Sequence, residues 1–288
     1  MRFGLTTPVV TLVPRSHAAW ETEAGPDELR RIATAADRLG YDYLSCSEHV
    51  AIPVDVAAVR GGRYYEPAAT LGFVAAITER IRLLTHVIVL PYHHPLEVAK
   101  RYGTLDRLSG GRVILGVGVG SLQPEFELLD VDFAGRGRRY EDALRALRAA
   151  LGTREPSYCG SHYEFSNVIV DPCAVQARLP IWIGGRSARS LRRALELGDG
   201  WDPFGLGLPQ LRELLTRARD SREWPKGFEV VLTAEQALEI DRAHETIAAY
   251  ATIGATAMNL RFRHRSLEHY LELLDEFAKT VMPSFKSP

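Results

Sequence analysis

Four places in this sequence carry residue types that could do chemistry. The first is Ser47-Glu48-His49, at the end of a short apolar run. Imidazole titrates near neutrality, so a histidine beside a carboxylate can give or take a proton at working pH. A loop histidine satisfied by backbone is the plain alternative. The second is Val113–Ser121, where Gly116, Gly118 and Gly120 fall at every second position. On a strand, that spacing strips side chains from one face, so that something can lie against the backbone or the strand can curve. It is not the dinucleotide fingerprint, because no glycine stands three residues after Gly120.

The third is Ile183-Gly184-Gly185-Arg186-Ser187, which leads into a segment carrying Arg189, Arg192 and Arg193. Unpaired N–H groups at a helix start, glycines and a guanidinium together make an anion site. Ser187 is equally an N-cap. The fourth is Arg261, Arg263, His264 and Arg265, either a phosphate locus or a solvated face. His86, His93 and His94 fall in none of the metal spacings: there is no His-x-His on the first strand and no His-x-x-x-His. No metal site is expected, and no Gly-x-Ser-x-Gly elbow occurs.

The elements that must position these residues alternate in type. Predicted strands are Arg2–Thr7, Tyr43–Cys46, Arg82–Leu90, Arg112–Val119, Pro180–Ile183, Asp199–Pro203, Glu229–Thr233 and Ala255–Leu260. Helical spacing is predicted over Pro26–Leu39, Leu96–Leu108, Gly137–Leu151, Ala188–Leu197, Leu208–Arg222, Arg242–Ile253 and Leu267–Val281. Alternation implies a parallel sheet, and the apolar Leu83–Leu90 run fits a strand buried on both faces. Eight units in 288 residues fit an α/β fold, a single-domain TIM (β/α)8 barrel over residues 1–288. An open doubly wound sheet is the alternative. Loop insertions are placed at the C-terminal face, over about 50–66, 121–137 and 153–179.

Composition excludes several classes. With 35 Lys plus Arg against 36 Asp plus Glu, the net charge is −1, which argues against nucleic acid as a partner. Three cysteines without a Cys-x-x-Cys pair argue against a disulfide framework. No apolar run approaches the ~20 residues of a bilayer span, so no membrane association is expected, and the N-terminus reads as a strand rather than a signal peptide. A cytoplasmic protein is the expectation.

Taken together, several segments resemble the bacterial luciferase-like monooxygenase superfamily, and within it the coenzyme F420 (deazaflavin)-dependent oxidoreductases. They are Gly40–Tyr43 with Ser47–Val50, Arg80–Pro95, Leu105–Arg112 running into Leu115–Gly120, Glu125-Phe126, Pro180–Ser187 and Gly198–Trp201. The resemblance covers residues ~1–205 well and the last third less distinctively. It implies a TIM-like barrel holding a flavin-type ring at the strand ends, a small-molecule substrate and a homodimer. By the same resemblance His49 is the catalytic histidine, with Glu48 beside it to orient or tune it. Thr85, His86 and Val87 match a bulge that supports the ring, where a non-prolyl cis peptide often occurs. Gly118, Gly120 and Ser121 line the ring, and Gly184, Gly185, Arg186 and Ser187 bind the coenzyme phosphate. The sequence departs from the pattern at His86, a small residue elsewhere; at Ser121, acidic in the sugar-phosphate dehydrogenase branch; and at Cys173-Ala174, elsewhere a basic-Pro pair. The implied activity is hydride transfer between coenzyme F420 and a small organic substrate. An FMN-dependent monooxygenase fed by a separate reductase, and a non-catalytic flavin or deazaflavin carrier, are the alternatives.

Overall fold

A computed structural model of the chain describes residues 1–221 and 223–285. Eight parallel strands close into a barrel: β1 (Arg2–Thr6), β2 (Tyr43–Cys46), β3 (Arg82–Thr85), β4 (Val113–Gly118), β5 (Ile181–Gly184), β6 (Gly200–Asp202), β7 (Glu229–Thr233) and β8 (Ala257–Leu260). Registers run from Arg2↔Ala257 and Leu5↔Leu44 round to Ile181↔Leu115, which closes the ring. This is the predicted barrel, and the open sheet is ruled out. The outer ring holds α1 (Pro26–Leu39), α2 (Pro67–Ile77), α3 (Pro95–Leu108), α4 (Arg136–Ala150), α5 (Ala188–Leu197), α6 (Leu208–Ser221), α7 (Ile240–Thr252) and α8 (Leu267–Thr280). Among the described residues, no helix is long and apolar enough to cross a membrane. The last residue of the predicted Leu208–Arg222 helix lies outside the described residues.

Local chemistry explains the boundaries. Pro26 opens α1, whose Glu28 carboxylate accepts from the Gly25 N–H at 2.8 Å. Leu29, Ile32, Ala33 and Ala36 form its buried stripe, and Gly40, at φ 79°, ends it as only glycine does cheaply. The helix α2 has no counterpart in the sequence reading. Its PAATLGFVAAI stretch is apolar all round, so no stripe marks it; Glu66 nevertheless caps it by accepting from Ala69 N at 2.6 Å.

The predicted strand Arg82–Leu90 is two pieces. Pairing runs Leu84↔Ile114 before the break and Ile88↔Val117 after it, so one side advances four residues while β4 advances three. That extra residue is a β-bulge, and the His86–Val87 peptide within it is cis. The bulge explains the glycines of β4. A Cβ on Gly116 would stand 1.9 Å from the Thr85 carbonyl oxygen, and one on Gly118 2.6 Å from Val87 Cγ2.

Inside the barrel, Tyr43, Leu84, Ile114, Trp182, Val231 and Ala257 form an apolar plug. The Tyr43 ring fills the space that Gly4 leaves by having no side chain; a Cβ there would lie 1.9 Å from it. Above the plug the interior turns polar, with Asp202 and Asn259 buried near the strand ends.

Gly116→Ala should therefore lower stability by about 1–3 kcal/mol, the cost of overpacking a tight interior. Gly72→Ala, on α2 with nothing within 4 Å, should raise it by about 0.5–1 kcal/mol. Urea unfolding with an unchanged m-value reads both shifts.

Candidate active site

His49 leaves the end of β2 with its imidazole mostly covered, the side chain 15% exposed. Its Nδ1 lies 2.6 Å from Glu125 Oε2, and the Glu125 side chain is wholly buried. The same carboxylate accepts from Val50 N at 2.6 Å, Ala51 N at 3.2 Å and the Tyr92 hydroxyl at 3.0 Å. Glu125 sits on a short helix, Gln123–Leu128, that follows β4. Burial pushes its carboxyl upward, but the bonds from His49, the Ala51 N–H and Tyr92 outweigh this and hold it below the usual range. An ionised Glu125 accepts a hydrogen bond from Nδ1–H and thereby leaves Nε2 as the nitrogen open to chemistry. The edge of the imidazole meets the Tyr64 ring, centroids 4.5 Å apart. Burial and the adjacent Glu125 charge both push the Tyr92 phenol upward, so it stays a neutral donor.

The structure corrects the expected partner of His49. Glu48 accepts instead from Val89 N at 2.6 Å and lies 2.7 Å from His93 Nε2, while its own N–H bonds the Val87 carbonyl. Successive residues of an extended chain point to opposite sides, so Glu48 and His49 diverge. Glu48 is a clamp on the bulge rather than a tuner of the imidazole. Thr85 is likewise buried and donates to the Gly116 carbonyl at 2.7 Å, which leaves its side chain unavailable to a ligand. What lies against Gly118 is Val87, and what lies against Gly120 is Phe126 and Val89. The glycine series makes room for the chain's own bulge. Ser121 does reach the rim, its hydroxyl 3.4 Å from Arg60 Nη2.

Beneath the bulge, His86 Nε2 lies 3.3 Å from Asp202 Oδ2, at the long end for a hydrogen bond. Asp202 Oδ1 accepts from Asn259 Nδ2 at 2.9 Å, and Asn259 Oδ1 accepts from the Tyr43 hydroxyl at 2.8 Å. A polar relay thus runs from the barrel interior to the bulge. Burial, the largest effect, opposes a charge on His86, but attraction and hydrogen bonding to Asp202 outweigh it and Arg261, so the imidazole pKa is raised.

At the start of α5, Ser187 is the N-cap and accepts from Ser190 N at 3.3 Å. Gly185 adopts φ 120°, and the exposed Arg186 carries its guanidinium 5.6 Å from the Phe204 ring centroid. The first-turn N–H groups of Ala188 and Arg189 have no intrahelical acceptor by construction. The second basic locus is largely committed within the chain. Arg261 donates to the carbonyls of Ala234 and Glu235, Arg263 pairs with Glu239, and His264 accepts from Trp20 Nε1. The Cys173–Gln176 turn is held by Asp106, near the C-terminal end of α3. Exposed apolar residues gather at the strand-end face: Val50, Val54 and Val59 after His49, and Phe204 after β6.

A family model described as luciferase-like monooxygenase matches residues 1–278. The chain belongs to that family. It is 29% identical over 204 residues to an uncharacterised protein of Mycobacterium tuberculosis, covering 67% of this chain and 70% of that one. Among solved structures, it is similar to an F420-dependent secondary alcohol dehydrogenase in complex with an F420–acetone adduct. There the TM-score is 0.78 at 14% identity, with 99% of each chain covered. It is also similar to the oxygenating constituent of 3,6-diketocamphane monooxygenase from Pseudomonas putida, in complex with FMN. That match has a TM-score of 0.76 at 17% identity, covering 100% of this chain and 99% of the other. At those identities the likeness is one of fold.

Glu125, Tyr92 and Asp202 are the site residues that sequence reasoning did not assign a role. Glu125 stands 76 positions from His49, and nothing local joins them. On the six-residue helix Gln123–Leu128 its burial gives no periodic signal.

Two outcomes check this geometry. Glu125→Gln should fold, and should flatten the acid limb of the stability curve. A carboxyl held below its usual value contributes stability above about pH 4.5 that is lost as pH falls through its folded pKa. Guanidinium titrations from pH 3 to 7 read it. The His86 imidazole should titrate above 6.5 in the wild type and below it in Asp202→Asn, where burial and Arg261 remain without the counter-charge. Its contribution to stability is complete below pH 6.5 and is lost as pH rises through the raised value. Ring-nitrogen NMR follows both proteins.

Proposed function

We propose that the protein is a coenzyme F420-dependent oxidoreductase that passes hydride between the deazaflavin and a small organic substrate. The observation that carries the reading is the His49–Glu125 pair, 2.6 Å apart at the strand-end face. The residues fit a tricyclic ring with an anionic tail. Val87 of the bulge offers an apolar bed beside Gly118 and Gly184. One buried polar atom near the strand ends, Thr6 Oγ1, has no hydrogen-bond partner among the described residues. The amides of the α5 start with Arg186 suit an anion.

When bound, the coenzyme supplies the hydride donor or acceptor. The chain's own residues handle the proton. With Nδ1 held by Glu125, His49 gives or takes a proton at Nε2, and Glu125 steadies the imidazolium form. Tyr92 and the Val50 and Ala51 amides keep that carboxylate ionised and fixed. Val50, Val54, Val59 and Phe204 favour a substrate with an apolar body.

The fold likeness to an FMN-bound monooxygenase constituent supports a second reading, FMN-dependent oxygenation with an external reductase. A non-catalytic carrier is a third, which a placed proton-transfer pair argues against. Parallel titrations with F420 and FMN separate the first two. Saturable binding of F420 with weak or no FMN binding is expected, and tight FMN binding without F420 affinity overturns the proposal. His49→Ala should fold and bind coenzyme but lose at least about tenfold in turnover, the lower end for a proton-transfer residue after discount for water substitution. Unchanged turnover removes His49 from the chemistry.

A further inference from the structure

Outside the His49 site, a concentration of unbalanced charge lies between α4 and α5. A cleft of about 430 Å³ there is lined by Arg136, Arg138, Arg189, Arg192 and Arg193, with Glu141 as its one acid. Five positive groups against one negative leave a surplus of four, in a chain whose net charge is −1. Glu141 is already engaged, 2.6 Å from Arg193 Nε, and Arg193 is buried. Arg136 is held too: it donates to the carbonyls of Gly120 and Phe133 and lies 3.5 Å from the Phe133 ring centroid. The guanidinium groups of Arg138, Arg189 and Arg192 are exposed, and among the described residues none has a hydrogen-bond or ion-pair partner. At the same place α4 begins at Gly135, which has no side chain to cap its first turn. Like charges so grouped repel, and anions are what relieve them.

We propose that this cleft binds a polyanionic chain, a ligand bearing two or more phosphate or carboxylate groups. Near neutral pH one phosphate carries about two charges and cannot balance a surplus of four, whereas several anionic groups in series can. Guanidinium is the group suited to bidentate contact with either oxyanion. The cleft also abuts the mouth. Arg136 Nε bonds the Gly120 carbonyl at 3.2 Å, and Arg189 lies in the first turn of α5, directly after Gly184–Ser187. A ligand anchored at the α5 start can extend into the cleft. The site stands on its own residues and does not depend on which coenzyme fills the mouth.

Calorimetric titration with inorganic pyrophosphate and with orthophosphate, at one fixed ionic strength, tests the proposal. The proteins are the wild type, Arg138→Gln/Arg192→Gln, and Arg31→Gln/Arg38→Gln on α1, across the barrel, as a charge-matched control. Glutamine preserves helix propensity, and the Arg193–Glu141 pair is untouched, so circular dichroism and thermal midpoints should match. The wild type should bind pyrophosphate at least tenfold more tightly than orthophosphate, and the double variant should lose at least tenfold in pyrophosphate affinity. The control should stay within twofold. Absence of saturable pyrophosphate binding, or equal affinity in wild type and double variant, overturns the site. Repeating the titration on protein saturated with F420 identifies the source of the polyanion. Competition assigns the cleft to the coenzyme's tail, and undiminished pyrophosphate binding assigns it to a separate anion. If F420 fails to bind, the coenzyme reading falls while the pyrophosphate comparison still decides the cleft.

Discussion

A single buried carboxylate organises the strand-end face of this barrel around His49. Glu125 receives His49, two consecutive backbone amides and a tyrosine hydroxyl, drawn from the ends of two different strand units. A carboxylate this deeply enclosed costs several kcal/mol to bury unless its oxygens are fully partnered, and here four donors meet them. The same contacts fix the direction of the imidazole. Because Nδ1 is held by Glu125, Nε2 is the ring nitrogen that the fold leaves free. In the proposed reaction, preorganisation of this kind would keep the proton-transfer geometry from costing entropy.

The second constraint is the bulge after β3. Glu48 and His93 grip it from one side, while the glycines of β4 make way for it on the other. Each supports the other: without Gly116 the Thr85 carbonyl has no room, and without Glu48 the Val89 amide has no acceptor. Two adjacent residues, Glu48 and His49, thus take opposite duties, one structural and one facing the mouth. His86 adds a feature of its own, since Asp202 opposes the loss of charge that burial alone would impose.

How legible this was in the sequence varied with the range of the interactions. Strands such as Tyr43–Cys46 and Glu229–Thr233, and helices such as Pro26–Leu39 and Ala188–Leu197, are set by local apolar patterning and caps, and they were readable to the residue. The helix Pro67–Ile77 was not, because small apolar residues on every face leave no stripe. Patterning alone runs one strand over Arg82–Leu90, since register against β4 is not a property of either strand alone, and only the family resemblance marks Thr85–Val87 as a bulge. At the site, His49 and the Gly184–Ser187 turn were visible by type and position. The Glu125 partnership joins segments distant in sequence, and adjacency in the chain pointed to Glu48 instead. Glycine spacing does not tell space for a ligand from space for the chain itself, and much of that space belongs to Val87, Val89 and Phe126.

The most direct test of the central claim is a crystal structure of the protein with oxidised F420 bound. The account predicts the tricyclic ring against Val87 at the strand-end face, with His49 Nε2 turned toward it or toward the substrate space, within roughly 3.5 Å of a proton-accepting or proton-donating atom. Glu125 should still hold Nδ1. A ring seated elsewhere on the protein, or an imidazole that leaves Glu125 and turns away from the ring, would contradict it.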